Sequence, residues 1–224
     1  MKARLEPEVI AMRVAKEFQD GDYVNLGFGL GTDAASFIPP DKTVILHSEQ
    51  GVLGFGRILD EGEEELADYN LTNAGGQFVA PTPGMCFFNH VDSFAMVRGG
   101  HLDVTVLGAL QVSEKGDLAN WSLDPEGKVG NIGGAMDMPV GIKKVIVAME
   151  HTTRHKHIKI LKKCTLPLTC PTCVDLIVTD LAVIDVTPQG LVLKETAPGW
   201  TVEEVQSLTE PKLIPADDLK EMEL

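Results

Sequence analysis

The sequence is short of cysteines, aromatic residues and basic residues, and each shortage narrows the kinds of protein it can encode. Lysine and arginine total 19 against 33 acidic residues, which gives a formal charge of -14. A surface of this sign repels phosphate backbones and anionic lipids, so the sequence argues against a nucleic-acid or membrane partner. No apolar run approaches the roughly 18 residues that cross a bilayer, and the opening MKARLEPEVI lacks the apolar core of a secretory signal. We therefore expect a cytoplasmic location.

The four cysteines are too few to cross-link a chain of 224 residues. Cys170 and Cys173 have the CxxC spacing of a zinc or redox motif, and His151, His155 and His157 lie upstream. A structural zinc site needs a second close pair of ligands, and the sequence offers none. Isolated thiols are therefore favoured over a metal site, and no metal is expected.

What the sequence does have is apolar residues, at 44%, arranged in short runs. Residues 7–22 place apolar side chains near helical spacing and predict an amphipathic helix. The runs predicted as strands are YVNLGFG, TVILHSE, FAMVRGG, DVTVLGALQV, KKVIVAM, VDLIVTDLAVIDV and GLVLKE. Several are apolar throughout, which is typical of strands covered on both faces. The fold class predicted is α/β, a layered open sheet of mainly parallel strands with flanking helices.

The domain organisation predicted is a single domain over residues 1–224. Near the end, VEEVQSLT predicts a short helix with Thr201 as its N-cap. The tail from about residue 211 has few apolar residues, and it is expected either to lie across a partner or to be partly mobile.

Glycines recur just past the ends of these runs, where α/β proteins collect their ligand-binding loops. The stretch GFGLGT beginning at Gly27 matches neither a dinucleotide fingerprint nor a Walker loop, so a close-packed turn is favoured over a nucleotide site. The pairs in RGGH and IGGA, and the small polar stretch NAGGQ, have the same permissive character. Taken singly, each favours a turn, since glycine tolerates positive φ.

Glu49 follows the apolar run TVIL-HS and stands before three closely spaced glycines in QGVLGFG. Glycines leave its approach open, while Val52, Leu53 and Phe55 supply apolar walls. A carboxylate that loses water in such a setting becomes more reactive as a base or a nucleophile, and N–H groups of a glycine turn can stabilise an oxyanion. The residues alone leave an exposed turn carboxylate as the alternative, and they name no substrate.

SEQGVLGFG resembles the SENGxxGxG signature of the β subunit of family I coenzyme A transferases, of the 3-oxoacid CoA-transferase type. The resemblance continues, in the same order, through NAGGQFVAPTPG, SFAMVRGGHLDVTVLGALQVSEKGDLANW, GNIGGAMDM, VIVAMEHTTR and CTLPLTCPTCVDLIVTDLAVIDV. It implies a fold shared with sugar-phosphate isomerases, which lack the SEQG and RGGHLD stretches. The implied reaction moves CoA between succinyl-CoA or acetyl-CoA and acetoacetate-like acids, as in ketone-body and short-chain fatty acid metabolism.

Carried over by position, the resemblance makes Glu49 the nucleophile that forms an acyl-glutamyl anhydride and then a glutamyl-CoA thioester. It makes Gly134 a donor of the oxyanion hole. The residues expected to border CoA or substrate are Gly27, Gly29, Gln50, Gly51, Asn73, Gly75, Gly76, Gly99 and Gly100. Coenzyme A is implied as substrate and covalent intermediate, with no permanently bound cofactor.

Two positions depart from the family pattern. Gln50 stands in place of the usual asparagine, which lengthens the amide by one methylene and is expected to move a hydrogen bond on the glutamate. Gly31 stands where proline is common, which loosens that turn. Both departures leave Glu49 in place but weaken any transfer of substrate specificity from the best-known members.

The chain matches only the C-terminal half of fused family members, so the resemblance implies an α subunit partner and an α2β2 heterotetramer. Two alternatives stay open. One is an acyl-CoA hydrolase, in which water attacks the same acyl-glutamate. The other is a non-catalytic partner subunit that keeps the fold without the reaction.

Overall fold

The computed structural model describes residues 2–27, 29–60 and 62–223. Its α-helices are α1 Pro7–Ala15, α2 Leu30–Asp33, α3 His90–Arg98, α4 Met138–Gly141 and α5 Val202–Ser207. Its first strands are β1 Tyr23–Leu26, β2 Ile45–Ser48, β3 Val52–Leu53, β4 Cys86–Phe87, β5 Val104–Leu107, β6 Gln111–Ser113 and β7 Leu118–Ala119. The others are β8 Lys144–Met149, β9 Ile160–Leu161, β10 Leu176–Thr179, β11 Ala182–Thr187, β12 Gly190–Thr196 and β13 Leu213–Glu221. Short 3-10 helices cover Ala34–Phe37, Glu64–Leu66 and Gly133–Met136.

A large central sheet runs in the order β13-β12-β11-β10-β8-β5-β1-β2-β3-β4. Its centre, from β10 through β8, β5 and β1 to β2, is parallel throughout, and antiparallel strands flank it on both sides. A smaller sheet of β7, β6 and β9 packs beside it. The α/β class with a mainly parallel sheet is confirmed. The parallel centre brings the carboxyl ends of five strands to one edge, where such folds bind ligands.

The two faces of the central sheet carry separate apolar cores. One core surrounds α1, with Ile10, Val14 and Phe18 packed on Val24 and Leu46 of the strands. The other surrounds α3, α4 and α5 together with the small sheet. Side chains alternate along a strand, so Asn25 and His47 point to the face opposite Val24 and Leu46, which is the α3 face.

Three sequence predictions differ from the structure. The run FAMVRGG, predicted as a strand, lies mostly within helix α3. The side chain of Asn89 accepts a hydrogen bond from the backbone N–H of Asp92, which caps this helix. Its buried residues Ser93, Phe94 and Val97 share one helical face. An apolar run this short cannot distinguish a strand from a buried helix by periodicity.

Helix α1 is also shorter than predicted, because it ends at Ala15 rather than near Gly21. The tail differs more. Residues Leu213–Glu221 form β13, which pairs in parallel with β12 at the edge of the large sheet. The short helix predicted at VEEVQSLT is confirmed as α5, where Thr201 and Glu204 form a capping box. Within the described residues, no helix is long and apolar enough to cross a bilayer.

Candidate active site at the carboxyl ends of β1, β2 and β5

Glu49 directly follows β2 and is half-buried at the carboxyl edge of the parallel sheet. Its side chain borders a cavity of about 520 Å³. The walls come from the residues that follow β1, β2 and β5 and from the segment that leads into α4. The lining residues are Asn25, Gly27, Glu49, Leu107, Gly108, Ala109, Leu110, Asn120, Asn131, Ile132, Gly134, Ala135 and Met138. The cavity mixes apolar walls with several side-chain amides.

Burial raises the pKa of the Glu49 carboxyl above its usual value, and the charge of His90 partly offsets this rise. His90 opens helix α3 and its ring lies 4.7 Å, between centroids, from that of Phe94. A carboxylate with a raised pKa is poorly solvated in its charged form, so it attacks an electrophile more readily than an exposed one. The nearby imidazole keeps enough of the carboxylate ionised for that attack.

Gly134 lies against this carboxylate. A Cβ at this position would stand 3.0 Å from Oε2 of Glu49 and 2.7 Å from Cζ of Phe94. Glycine is therefore required for the close approach, because any larger residue would displace one of the two neighbours. The structure brings together residues that are far apart in the chain, and it leaves the backbone at 134 accessible to whatever reacts with Glu49.

A row of buried polar side chains crosses three strands beneath the cavity. His47 of β2 and Thr105 of β5 are the register partners of Asn25 on either side of β1. Oγ1 of Thr105 donates to Oδ1 of Asn25 at 3.1 Å, and Nδ2 of Asn25 donates to Nδ1 of His47 at 3.1 Å. Nε2 of His47 lies 3.0 Å from Oγ of Ser93 in α3. All four side chains are at most 2% exposed.

This arrangement determines the state of His47. Nδ1 accepts a hydrogen bond from an amide N–H, so the ring proton is on Nε2 and the Nε2–H donates to Ser93. Burial lowers the pKa of His47 to about 4, so the ring stays neutral at physiological pH. His47 is thus a fixed acceptor toward Asn25 and a fixed donor toward α3.

The turn after Glu49 is held by Ser48, Gln50 and Gly51. Gly51 has a φ of +125°, and a side chain there would collide with the carbonyl oxygen of Phe88. Oγ of Ser48 donates to Oε1 of Gln50 at 2.6 Å and accepts from the backbone N–H of Ala74 at 2.7 Å. Nε2 of Gln50 donates to the carbonyl of Thr72. The extra length of Gln50 therefore serves to tie this turn to the loop at 72–77.

That loop is organised by Asn73. Its Oδ1 accepts from the backbone N–H groups of Gly75 and Gln77, and Gly76 adopts a φ of +75°. The loop closes over the turn that carries Glu49, but its residues do not border the 520 Å³ cavity. Any contact with CoA from Asn73, Gly75 or Gly76 stays a prediction.

The other sequence candidates lie at two places. Gly27 borders the cavity and packs so closely on β5 that a Cβ would stand 2.7 Å from the carbonyl oxygen of Val106. Gly29 precedes α2 with a φ of +92° and lies outside the cavity lining. Gly99 and Gly100 end helix α3, also outside that lining. Their geometry is that of a helix terminus, and substrate contact there stays a prediction.

Sequence reasoning missed Asn25, Asn120 and Asn131, three amides that border the cavity. Asn25 left a signal, because it is a polar residue inside the otherwise apolar strand YVNL. The cross-strand row with His47 and Thr105 left none, since it depends on strand order. A buried amide at a strand end points to a functional site, but only the fold shows its partners.

The CxxC stretch has no comparable organisation. The four cysteines are free thiols, and burial raises the pKa of Cys164 to about 11 and that of Cys173 further still. Sγ of Cys173 lies near the carbonyl of Cys170. Across the described ranges, no group of three or more His, Cys, Asp or Glu side chains is placed to hold a metal ion.

Comparison with known proteins gives consistent matches. The model of the family described as Coenzyme A transferase matches residues 8–208. The chain is 50% identical over 213 residues to a 3-oxoadipate CoA-transferase subunit of Acinetobacter baylyi, which covers 95% of this chain and 97% of that one. It is 49% identical over 216 residues to the mitochondrial succinyl-CoA:3-ketoacid coenzyme A transferase 2B of Mus musculus, which covers 96% of this chain and 41% of that one.

Among solved structures, the acyl-CoA transferase YdiF of Escherichia coli O157:H7 superposes with a TM-score of 0.75 at 20% identity. The match covers 100% of this chain and 44% of that one, so this chain spans less than half the length of that protein. At this identity the likeness supports the fold. The family model and the two curated relatives carry the assignment further, and the chain belongs to the coenzyme A transferase family as a CoA-transferase chain.

Proposed function

We propose that this chain is the β subunit of an enzyme that moves coenzyme A from an acyl-CoA to a small carboxylic acid through a covalent thioester on Glu49. The observation that carries the proposal is a half-buried carboxylate with a raised pKa, set against Gly134 in a cavity at the carboxyl edge of the sheet. Coenzyme A is then substrate and covalent intermediate, with no resident cofactor.

The chemistry needs no proton transfer. An oxygen of Glu49 attacks the thioester carbonyl, the C–S bond breaks, and CoA leaves as a thiolate from an acyl-glutamyl anhydride. The thiolate then attacks the γ-carbonyl of Glu49, and the donor acid leaves as a carboxylate. The acceptor carboxylate attacks the glutamyl thioester, and the same steps run in reverse. One thioester replaces another, so the overall free-energy change is small.

Each addition places negative charge on a former carbonyl oxygen, which an N–H donor stabilises. The backbone N–H of Gly134 is the proposed donor, because position 134 lies closest to the Glu49 carboxylate and has no side chain to obstruct the reacting carbonyl. The apolar lining residues, including Leu107 and Met138, support the second requirement, which is to protect the anhydride from water.

A partner chain is part of the proposal. The Acinetobacter baylyi relative is named as one subunit of its enzyme, and it matches this chain over almost its full length. Beside the cavity, Val91 of α3, Met136 and Val140 of α4 are 77%, 46% and 73% exposed. Exposed apolar side chains around a functional cleft are typical of a surface that another chain covers. An α subunit seated there, in an α2β2 assembly, would complete the walls of the site.

For the substrate we propose a small 3-oxo or related carboxylic acid. The two curated relatives are named for 3-oxoadipate and for succinyl-CoA with 3-ketoacids, which share a short acyl chain and a carboxylate. The amides of Asn25, Asn120 and Asn131 give the cavity neutral hydrogen-bonding groups suited to carbonyl and carboxylate oxygens.

The test uses the chain purified together with its α subunit, incubated with succinyl-CoA or acetyl-CoA and then treated with borohydride. Hydride reduces a glutamyl thioester to a primary alcohol and releases CoA, so the peptide that contains Glu49 changes mass. We expect that change with at least one acyl-CoA and none in Glu49→Gln. Mass measurement of the intact assembly tests the α2β2 stoichiometry.

Absence of any modified Glu49 peptide across the acyl-CoA panel would refute the covalent mechanism. Release of CoA without an added acceptor acid, at the rate seen with one, would identify a hydrolase. A modified Glu49 peptide formed by the chain without its α subunit would show that the partner is not required for the first half of the reaction.

A further inference from the structure

We infer that His47 is a positioning residue, which holds the amide of Asn25 so that its N–H end lies toward β2, the strand that carries Glu49. The inference rests on the proposed function. His47 itself is fully buried and does not border the cavity, whereas Asn25 does. Any effect of His47 on the reaction must therefore pass through Asn25 or through the backbone of β2.

The orientation of the Asn25 amide follows from its two neighbours. β1 lies between β5 and β2, and Asn25 is in register with Thr105 on one side and His47 on the other. Oδ1 accepts from Thr105, so the carbonyl end faces β5, and Nδ2 donates to His47, so the amino end faces β2. Nδ2 carries a second hydrogen, and Asn25 borders the cavity, so this hydrogen is the one available to a ligand there.

The direction matters for the chemistry. Glu49 is negative before it reacts, and the addition to the thioester creates a second negative oxygen beside it. A donor on this side of the cavity stabilises both charges, whereas a carbonyl oxygen would repel them. A free asparagine side chain can adopt either orientation by a half-turn about χ2. The accepting Nδ1 of His47 favours one of them, because the flipped amide would place two acceptors face to face.

Helix α3 sets the tautomer of His47 and also contacts the rest of the site. Oγ of Ser93 lies 3.0 Å from Nε2 of His47. On the same helix, His90 lowers the pKa of Glu49 and Phe94 packs where a side chain at Gly134 would stand. The ring of His47 therefore joins the helix that supports Glu49 to the strand amide that faces the cavity.

The experiment compares matched variants in the complex with the α subunit, with succinyl-CoA and acetyl-CoA as donors. His47→Gln keeps a polar group near Ser93 and removes the acceptor next to Asn25, whereas Ser93→Ala removes the opposite bond. Each variant loses one buried hydrogen bond, so both should lower the melting temperature by similar amounts. We expect kcat to fall at least about tenfold in His47→Gln and less than threefold in Ser93→Ala, with KM little changed in both.

Thr105 supplies a pair that leaves the histidine intact. Thr105→Val removes the donor that holds the carbonyl end of Asn25, and Thr105→Ser retains it. We expect a kcat loss in Thr105→Val comparable to that of His47→Gln and recovery to within threefold of the wild type in Thr105→Ser. Asn25→Asp, which replaces the donor with an acceptor, should be at least as impaired as either.

Two results would overturn the inference. One is equal loss of kcat in His47→Gln and Ser93→Ala, in proportion to lost stability, which indicates a purely structural histidine. The other is wild-type kcat in a folded Thr105→Val. Both are measured against a wild type that forms the Glu49 thioester, so they differ from a failure of the proposed function, in which the wild type itself gives no modified Glu49 peptide.

Discussion

Two places at the carboxyl edge of the sheet have the same ingredients and different chemistry. After β2 come a buried histidine and a glutamate, His47 and Glu49, and after β8 come Glu150 and the buried His151. Both rings are fully buried, and both have a pKa lowered by burial, to about 4 for His47 and about 3 for His151. Each ring also has a hydrogen-bond partner at both nitrogens.

The difference lies in where the hydrogen bonds end. Around β8 and β10 they close on the protein itself. His151 lies between the hydroxyls of Thr179 and Thr209, and the carboxylate of Asp180 accepts from the backbone N–H of His151 and from Arg4. The adjoining cavity is larger, at about 940 Å³, but its carboxylates are paired or exposed. Around β2 the row ends at Asn25, which keeps a donor facing the cavity. Spare hydrogen-bonding capacity, rather than burial or cavity size, marks the reactive place.

The largest expected effect separates the two glutamates that directly follow parallel strands. Glu49→Gln should reduce CoA transfer by at least about a thousandfold, because the nucleophile is lost, with no fall in melting temperature. Glu150→Gln, the matched change after β8, should leave kcat unchanged. Steady-state transfer assays on both complexes check this. Comparable losses in the two variants would contradict the assignment of the nucleophile.

The next effect concerns the approach to the carboxylate. Gly134→Ala places a methyl group within 3.0 Å of Oε2 of Glu49, so we expect a fall in kcat of about a hundredfold. Gly108→Ala adds a methyl group to the same cavity with no atom within 4 Å and serves as the control, with a small effect expected on KM alone. Equal kcat values for the two variants would show that closeness to Glu49 is irrelevant.

A third prediction tests the supporting role of the second place. Asp180→Ala removes the acceptor for Arg4 and for the backbone N–H of His151, so the free energy of unfolding should fall by about 2–4 kcal/mol. The kcat of the folded enzyme should stay at the wild-type value. Chemical denaturation and active-site-normalised kinetics measure the two quantities. A loss of kcat without loss of stability would place Asp180 in the reaction.

The smallest effect is on pH dependence. Glu49 reacts as a carboxylate and its pKa is raised by burial, so activity should fall on acidification at a higher pH than for an exposed glutamate. His90 lowers that pKa through its charge, so His90→Ala should move the acid limb to still higher pH. His155→Ala, an exposed histidine beyond β8, is the control. A shift of the limb to lower pH in His90→Ala would contradict the electrostatic role.

The strands of the parallel centre were predictable from sequence, because β2, β5, β8 and β10 are apolar runs bounded by turn residues. Helix α3 was not, since its run FAMVR is too short to show a helical period and its cap, Asn89, lies outside the run. Glu49 could be identified as a reactive carboxylate from its glycine surroundings. Its pairing with Gly134 came from the family resemblance, because no local pattern relates residues so far apart.

The polar row could not be predicted for a different reason. Asn25, His47 and Thr105 become neighbours only when β1 is inserted between β2 and β5, and a parallel sheet reaches that order through crossovers. Single-strand patterns contain no information on strand order. The tail was misjudged because its charged residues were taken as a sign of poor packing, although an edge strand needs only one covered side.

That edge strand also bears on how the protein behaves at high concentration. β13 ends one side of the large sheet, and its exposed residues include Pro215, Asp217, Asp218, Lys220 and Glu221. Proline and charge on an outermost strand prevent a second molecule from adding its own strand, and the irregular register with β12 bends the edge further from the flat shape that fibrils extend. The last residues of the described chain thus act as a guard against self-association, and removing them would expose the long, apolar β12 as a template for aggregation.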